Sequence, residues 1–461
     1  LSGRGAPVVV VGAGPAGIRA AETLAAAGVR PVVIDEGRRA GGQIYRRPPE
    51  GFSRTPQTLY GPEASKAVAL HAVFDAAAAS GRVDHRPESS VLALGDGALQ
   101  VLGPEGRSSI AYDRLILATG ATDRLAPVPG WQSPGVYGLG GTQIALKAQG
   151  LTFGRRIVLA GSGPLLTLVA VQLLKAGAAV AAVLDTAPLG RQIAALPELL
   201  ARPVFALRGV AMRAALGGRY HAGISLDRIE VDGRGPVAVA WHDAGGRVRR
   251  TDCDMVGLGW HLQAETHLAD LAGCAFDYDE TWAQWLPRTD RMGRAGDGVY
   301  LAGDGLRILG ADGAEVAGRL AAAACLADMG LPAPDAAADL RKLDRLDRFA
   351  RGIAHAFPWP AEMIRALPDE TVVCRCEGVT AGELRKTVDY GGAEANRVKS
   401  LGRVGMGRCQ GRFCRLAGVE LIAARAGTGA DSVGRLRGQA PVRPAPVEAW
   451  MDRGCGAAGS G

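Results

Sequence analysis

The chain has 461 residues, 66 of them glycine, with 7 Trp, 8 Tyr and 8 Phe. Hydrophobic residues at 48% and charged ones at 21% describe a chain that buries a core, which excludes disorder; no Gly-X-Y period runs through it, which excludes collagen. The 53 basic and 46 acidic residues leave +7, but almost all the cations are arginine and no segment interleaves charge with aromatics, so no nucleic-acid face is expected.

At about 150 residues per domain, the length predicts two to four domains. The opening residues run straight into an apolar strand without a basic region, a long apolar run and a cleavage site, so a cytoplasmic protein is expected. From Ile157 to Leu184 the only charged side chain is Lys175, a stretch long enough to cross a bilayer. Gly161-Ser162-Gly163-Pro164 and Gly177 interrupt it, however, and predict a strand, a turn, a helix and a second strand rather than a membrane span.

In chain order, Val8–Val11 reads as a buried strand leading into Gly12-Ala13-Gly14-Pro15-Ala16-Gly17. A helix over Ile18–Ala27 and a second strand over Pro31–Ile34 follow, closing on Asp35-Glu36. Each glycine has a mechanical reason: Gly12 for the tight turn, Gly14 for close approach of a pyrophosphate, Gly17 for packing of helix on strand. The helix N-terminus supplies free N–H groups and the positive end of the dipole. Asp35, with Glu36 as second candidate, is placed to take a ribose hydroxyl. Gly41-Gly42-Gln43 comes next, then a strand ending in Thr119-Gly120.

A second strand–loop–helix–strand unit spans Arg156–Asp185, with Gly161 and Gly163 in its loop and Leu166 where the third glycine would stand. That leucine is expected to push the helix away from the strand. Asp185 would favour a free 2′-hydroxyl over a 2′-phosphate. Near residue 300, Val299-Tyr-Leu-Ala-Gly303-Asp304 precedes a small-residue helix over Ala311–Ala324.

These segments resemble the two-dinucleotide-domain flavoproteins of the thioredoxin-reductase type. The resemblance implies that the Gly12–Gly17 loop, including Ala16, surrounds FAD together with Gly42, Gln43, Thr119, Gly120, Gly303 and Asp304. It also implies that the inserted unit receives NAD(P)H, although the altered loop weighs against a working site. Cys253, Cys274, Cys325 and Cys455 are scattered, so the close cysteine pair of a disulfide reductase is missing. His261 and His267 are six apart, off helical metal-ligand spacing, and read as packing or surface residues. No general base or nucleophile stands out, and the catalytic residues are left unassigned.

Residues 331–368 read as a helical connector with a helix over Leu340–Ala350, docked through Phe357 and Trp359. Thr380–Val388 is predicted as a helix, with Thr380 as cap and Glu383 at the capping-box position. Four cysteines form a constellation: Cys374 and Cys376, then, 32 residues on, Cys409 and Cys414. Thiolates so grouped suit a soft metal centre, with one iron of a [2Fe–2S] cluster on each pair. Structural zinc and unrelated cysteines are the alternatives. The last thirty residues, with their prolines, are expected to run extended.

The whole combination, over about residues 6–450, resembles the α subunits of bacterial heteromeric amine dehydrogenases, the family of the opine oxidases, hydrogen cyanide synthase and the proline or hydroxyproline dehydrogenases. Its C-terminal module is similar to the bacterioferritin-associated-ferredoxin type of [2Fe–2S] domain, but with Cys-x4-Cys where small free-standing members have Cys-x2-Cys. The resemblance implies an α/β fold of two Rossmann-like dinucleotide-binding domains, one inserted in the other, plus a small α-helical [2Fe–2S] module. The expected boundaries are 1–125 and 287–330 for FAD, 126–286 for the insert, 331–368 for the connector, 369–430 for the cluster and 431–461 for the tail. Also implied are an FAD-containing catalytic β subunit of the glycine/D-amino-acid-oxidase type, a small third subunit or an interface FMN in some relatives, and an external electron acceptor. A self-contained NAD(P)H-dependent acceptor reductase is the competing expectation.

Overall fold

The computed structural model describes residues 7–52 and 54–449. Val8–Val11 is buried along its whole length, as a strand inside a covered parallel sheet must be. It pairs in parallel with Val32–Ile34 on one side and Arg114–Leu117 on the other. Asp84–Arg86 and Val299–Leu301 extend the two sides, with Arg294–Gly296 antiparallel at the far edge. The period of two then sorts the side chains between two cores. Val8, Val10, Ile116 and Tyr300 pack against the helices Pro15–Ala26, Ala64–Ala79 and Gly310–Asp328. Val9, Val11, Leu115 and Leu117 pack against Leu99 and Val101 of an antiparallel meander spanning 90–111.

The second sheet is parallel throughout, in the order Tyr220–Ala222, Val180–Asp185, Ile157–Ser162, Met255–Trp260, Val136–Gly138. The apparent membrane stretch is thus two buried strands flanking the helix Pro164–Lys175. Among the described residues no helix is long and apolar enough to cross a membrane. The two sheets are joined by an antiparallel ribbon, Ala121–Asp123 against Leu262–Ala264. The chain therefore returns at residue 262, earlier than the expected boundary at 286, and Leu268 and Ala269 already pack in the first unit's core beside Leu99 and Leu115.

The connector helix runs Ala337–Ala356, longer at both ends than the charged run alone indicated. Trp359 docks as anticipated, its ring 4.2 Å below the Arg124 guanidinium. Three helices, Ala381–Gly391, Ala395–Gly402 and Arg415–Ala426, build the C-terminal module. Thr380 caps the first with a full capping box through Glu383. The module is anchored where Trp131 Nε1 donates to Val372 O at 2.6 Å. The segment after 430 departs from the expected extended run by a helical turn, Ala430–Val433. Beyond it, Val442 N–H donates to Leu92 O at 2.8 Å and Arg443 pairs with Glu36 at 2.5 Å, so the chain folds back onto the first unit. Cys455 and the end of the expected tail lie outside the described residues.

Candidate functional site

The first glycine loop is built by contacts that leave no room for a side chain. Gly12 has φ +105°, and a Cβ there would sit 2.3 Å from Ala118 O; one on Gly17 would sit 1.8 Å from Gly12 O. The helix Pro15–Ala26 consequently rests directly on the strand end, with its N-terminus opening into the cleft. The other segments close around it. A Cβ on Gly42 would lie 2.8 Å from Gly14 Cα, one on Gly303 2.8 Å from Ala16 Cβ, and one on Gly305 2.5 Å from Thr119 Oγ1. Gln43 is exposed at the mouth. Asp35 accepts the Ala13 N–H at 2.5 Å and the Gly37 N–H at 2.6 Å, and burial pushes its carboxyl up against those two donors. Glu36 faces outward toward Arg443. Asp304 accepts from the Leu309 and Gly310 N–H groups at 2.8 and 3.0 Å, again with burial pushing its carboxyl up. Segments scattered over three hundred residues thus form one backbone-lined cradle, and its shape fits a dinucleotide held by pyrophosphate and ribose.

The second loop differs in chemistry. Gly161, at φ +143°, plays the part of Gly12: a Cβ there would meet Gly259 O at 1.8 Å. Leu166 is fully buried among Leu159, Val169 and Val183, so the position that carries a glycine in the first unit here serves the core. Asp185 is fully buried too. It accepts from Ser162 Oγ at 2.9 Å, the Ala187 N–H at 2.8 Å and Tyr220 OH at 2.5 Å. With those donors in place its carboxylate links three strands of the sheet. Gly163 faces the His261 ring, whose nitrogen burial pushes down to about 4.

In the C-terminal module the four thiols converge, and they do so across the sequence pairs. Cys374 is in hydrogen-bond contact with Cys414, and Cys376 with Cys409. The Cys414 thiol, followed by the backbone N–H groups of Gly405, Glu377 and Cys376, pulls the Cys374 thiol down to about 6 despite its burial. Hydrogen bonding to Cys374 and full burial drive Cys414 well up. Amide N–H groups of Gly411 and Phe413 point at Cys409. Such a nest of backbone donors around thiolate sulfur suits an anionic iron–sulfur cluster. Burial pushes Cys253, Cys274 and Cys325 each up to about 11 as well, but among the described residues none of them has a second thiol in hydrogen-bond contact.

Between cradle and cysteines lies a polar network whose two sides are too far apart in the chain to leave a local signature. Thr119 Oγ1 donates to Glu265 O at 2.7 Å, and the Glu265 N–H donates to Gly120 O at 3.0 Å. The Glu265 carboxylate receives Arg412 Nε at 2.5 Å and His267 Nδ1 at 2.5 Å. His267 Nε2 faces Gln410 O at 2.8 Å. Both ring partners are acceptors, and a neutral imidazole serves only one of them. Burial opposes ionisation of Glu265, yet His267 and Arg412 hold its carboxyl well below the usual range. Gln263 Nε2 donates to Arg412 O at 2.6 Å, and Arg415 donates to Ala264 O at 2.7 Å. His267, expected to be a packing or surface residue, is a buried part of this junction.

Comparison with known proteins matches the same two parts. Residues 6–324 fit the pyridine nucleotide-disulphide oxidoreductase family, and residues 372–424 the BFD-like [2Fe-2S] binding domain. An opine oxidase subunit of Rhizobium meliloti is 37% identical over 457 residues, covering 95% of this chain and 85% of the relative. Hydrogen cyanide synthase subunit HcnB of Pseudomonas aeruginosa is 32% identical over 462 residues, covering 97% and 98%. The crystal structure of L-proline dehydrogenase from P. horikoshii superposes with a TM-score of 0.70 over 97% of this chain and 79% of that one, at 18% identity, a likeness of fold.

Proposed function

This chain belongs to the pyridine nucleotide-disulphide oxidoreductase family, alongside its opine oxidase and hydrogen cyanide synthase relatives, and from that premise we propose that it is the electron-transferring α subunit of a heteromeric dehydrogenase for an amine or amino-acid-type substrate. It is a flavin and [2Fe–2S] oxidoreductase component of a complex built from several chains. One observation supports the finer reading: the loop bearing Cys409 and Cys414 is hydrogen-bonded onto the segment 265–267, which is itself hydrogen-bonded to Thr119 and Gly120 beside the first glycine loop. When bound, FAD supplies two-electron and one-electron chemistry and the cluster one-electron chemistry. The residues do the rest. Gly12, Gly14, Ala16, Gly17, Gly42, Gln43, Thr119, Gly120, Gly303 and Asp304 would hold and orient the dinucleotide, and Asp35 or Glu36 would meet its ribose. Cys374, Cys376, Cys409 and Cys414 hold the iron.

Substrate selection belongs on this reading to a flavin-containing β subunit of the glycine/D-amino-acid-oxidase type, with a small third subunit or an interface FMN as further components. Purification of the tagged chain from its host tests it directly: a flavoprotein should co-purify, and the chain alone should not oxidise an opine, proline or glycine. Full oxidation by the isolated chain would sink the proposal. The competing acceptor-reductase reading rests on the intact Gly161 and Gly163. The enclosure of Asp185 weighs against it, and the expected result is that anaerobic NADH or NADPH leaves the flavin yellow.

A further inference from the structure

We propose that Glu265 is the positioning residue that fixes the cysteine loop against the flavin rim, and that its negative charge sets the reduction equilibrium of the cluster in that loop. The inference rests on the electron-transfer reading above and names one residue of its machinery.

Glu265 uses its main chain and its side chain in opposite directions. The main chain is locked to the segment beside the first glycine loop through Gly120 O and Thr119 Oγ1. The carboxylate is locked to the cysteine loop: Oε2 takes Arg412 Nε at 2.5 Å, while Oε1 takes Arg412 Nη2 at 3.3 Å and His267 Nδ1 at 2.5 Å. Arg412 then donates to Cys409 O at 3.1 Å and to Val442 O at 2.9 Å, and His267 reaches Gln410 O. One residue thereby links the Thr119–Gly120 segment to the cysteine loop by a continuous chain of hydrogen bonds of 2.5 to 3.3 Å.

Burial gives the carboxylate its electrostatic weight. Glu265 is 4% exposed, His267 3% and Arg412 8%. Charges in such surroundings are poorly screened, and removing one partner of a buried pair leaves the other uncompensated. The cations around the loop are several: Arg412 and Arg415 behind it, and Arg375 stacked on Trp131 and Phe413 at 4.4 and 5.3 Å. Glu265 is the carboxylate that faces Arg412 directly, with Arg443 Nη1 3.6 Å from the same oxygen. Neutralising it leaves the loop more positive, and a cluster that gains negative charge on reduction is favoured there in its reduced form.

The test uses the full-length holoprotein with both cofactors and compares Glu265→Gln, which keeps the shape and one acceptor, with Glu265→Ala. An EPR-monitored redox titration of the cluster is expected to show Glu265→Gln shifted toward reduction about tenfold, roughly 59 mV upward for a one-electron couple. Glu265→Ala, which also loses the clamp, is expected to alter the visible circular dichroism of the cluster and to slow its reduction by photoreduced flavin at least about tenfold. A Glu265→Gln cluster with wild-type midpoint and spectrum overturns the charge assignment. A Glu265→Ala protein that holds both chromophores and transfers electrons at the wild-type rate overturns the positioning. If Glu265→Ala does not fold, Arg412→Lys replaces it in the rate measurement, since a lysine cannot bridge Glu265, Cys409 and Val442 together. A wild-type cluster that stays oxidised beside fully reduced flavin sinks the electron-transfer reading itself, and the titration still reports on Glu265.

Discussion

Single side chains carry the sharpest expectations. Cys409→Ser should abolish visible absorption beyond the flavin bands and lower iron and sulfide content, while FAD stays bound; simultaneous loss of FAD would show that the two sites do not fold separately. His261 gives a pH signature. Its folded value of about 4 lies below the ordinary 6.5, so the folded state resists a proton that the unfolded chain accepts. Stability is therefore full above pH 6.5 and falls as pH drops toward 4. Melting curves over that range should lose part of their slope in His261→Gln, and an unchanged slope would mean that the ring is hydrated. The placement of Asp35 and Asp304 just after a strand was legible in the sequence, because local pattern sets the strand ends. Asp185 also follows a strand, but nothing local in the sequence signals that Ser162 and Tyr220 reach it from neighbouring strands, 23 and 35 residues away.

At the scale of elements, the strands, glycine loops and capped helices were legible because short-range geometry dictates them. Gly17 shows how strictly. Its missing Cβ faces a carbonyl oxygen of the same loop at 1.8 Å, with no flexible neighbour to yield. Gly17→Ala is expected to destabilise by about 1–3 kcal/mol through this overpacking and to be purified largely without flavin, measured by melting temperature and by absorbance ratio. Gly28→Ala, where nothing lies within 4 Å, is the control for φ strain alone, at +81°. Thr380→Ala, which removes the capping box, should cost about 1 kcal/mol without changing the flavin spectrum. What stayed hidden at this scale was the junction of loops. Arg412 sits 147 residues from Glu265, and no local periodicity links them. The one available hint was the arginine inside the Cys409–Cys414 loop, a costly residue to bury without a partner carboxylate.

For the molecule as a whole, the two parallel sheets were expected from their alternating strand and helix patterns. The return of the chain at Leu262–Ala264 was not, since a three-residue ribbon leaves almost no signal in composition. The same ribbon leads into Glu265, so the crossing between the nucleotide units is also the approach to the cysteine module. Removal of iron by a chelator under reducing conditions should therefore loosen more than the C-terminal module. Hydrogen exchange is expected to rise in the amides of 263–267 as well as in 405–414, whereas exchange confined to the module would argue that the junction bears no load.

The pairing of Arg443 with Glu36 joins residues 407 apart in the chain. At about 5–20 residues per second of synthesis, a nascent chain waits roughly 20 to 80 seconds between emergence of the first partner and the second. Within that interval Glu265 emerges 147 residues before Arg412, so for roughly 7 to 30 seconds its carboxylate has neither Arg412 nor Arg443 to neutralise it. The Glu265 carboxylate is thus balanced only after both nucleotide units have been synthesised, by residues of the cysteine module and of the segment that follows it. Order of synthesis becomes an order of maturation, in which the cysteine loop closes against a nucleotide unit already formed.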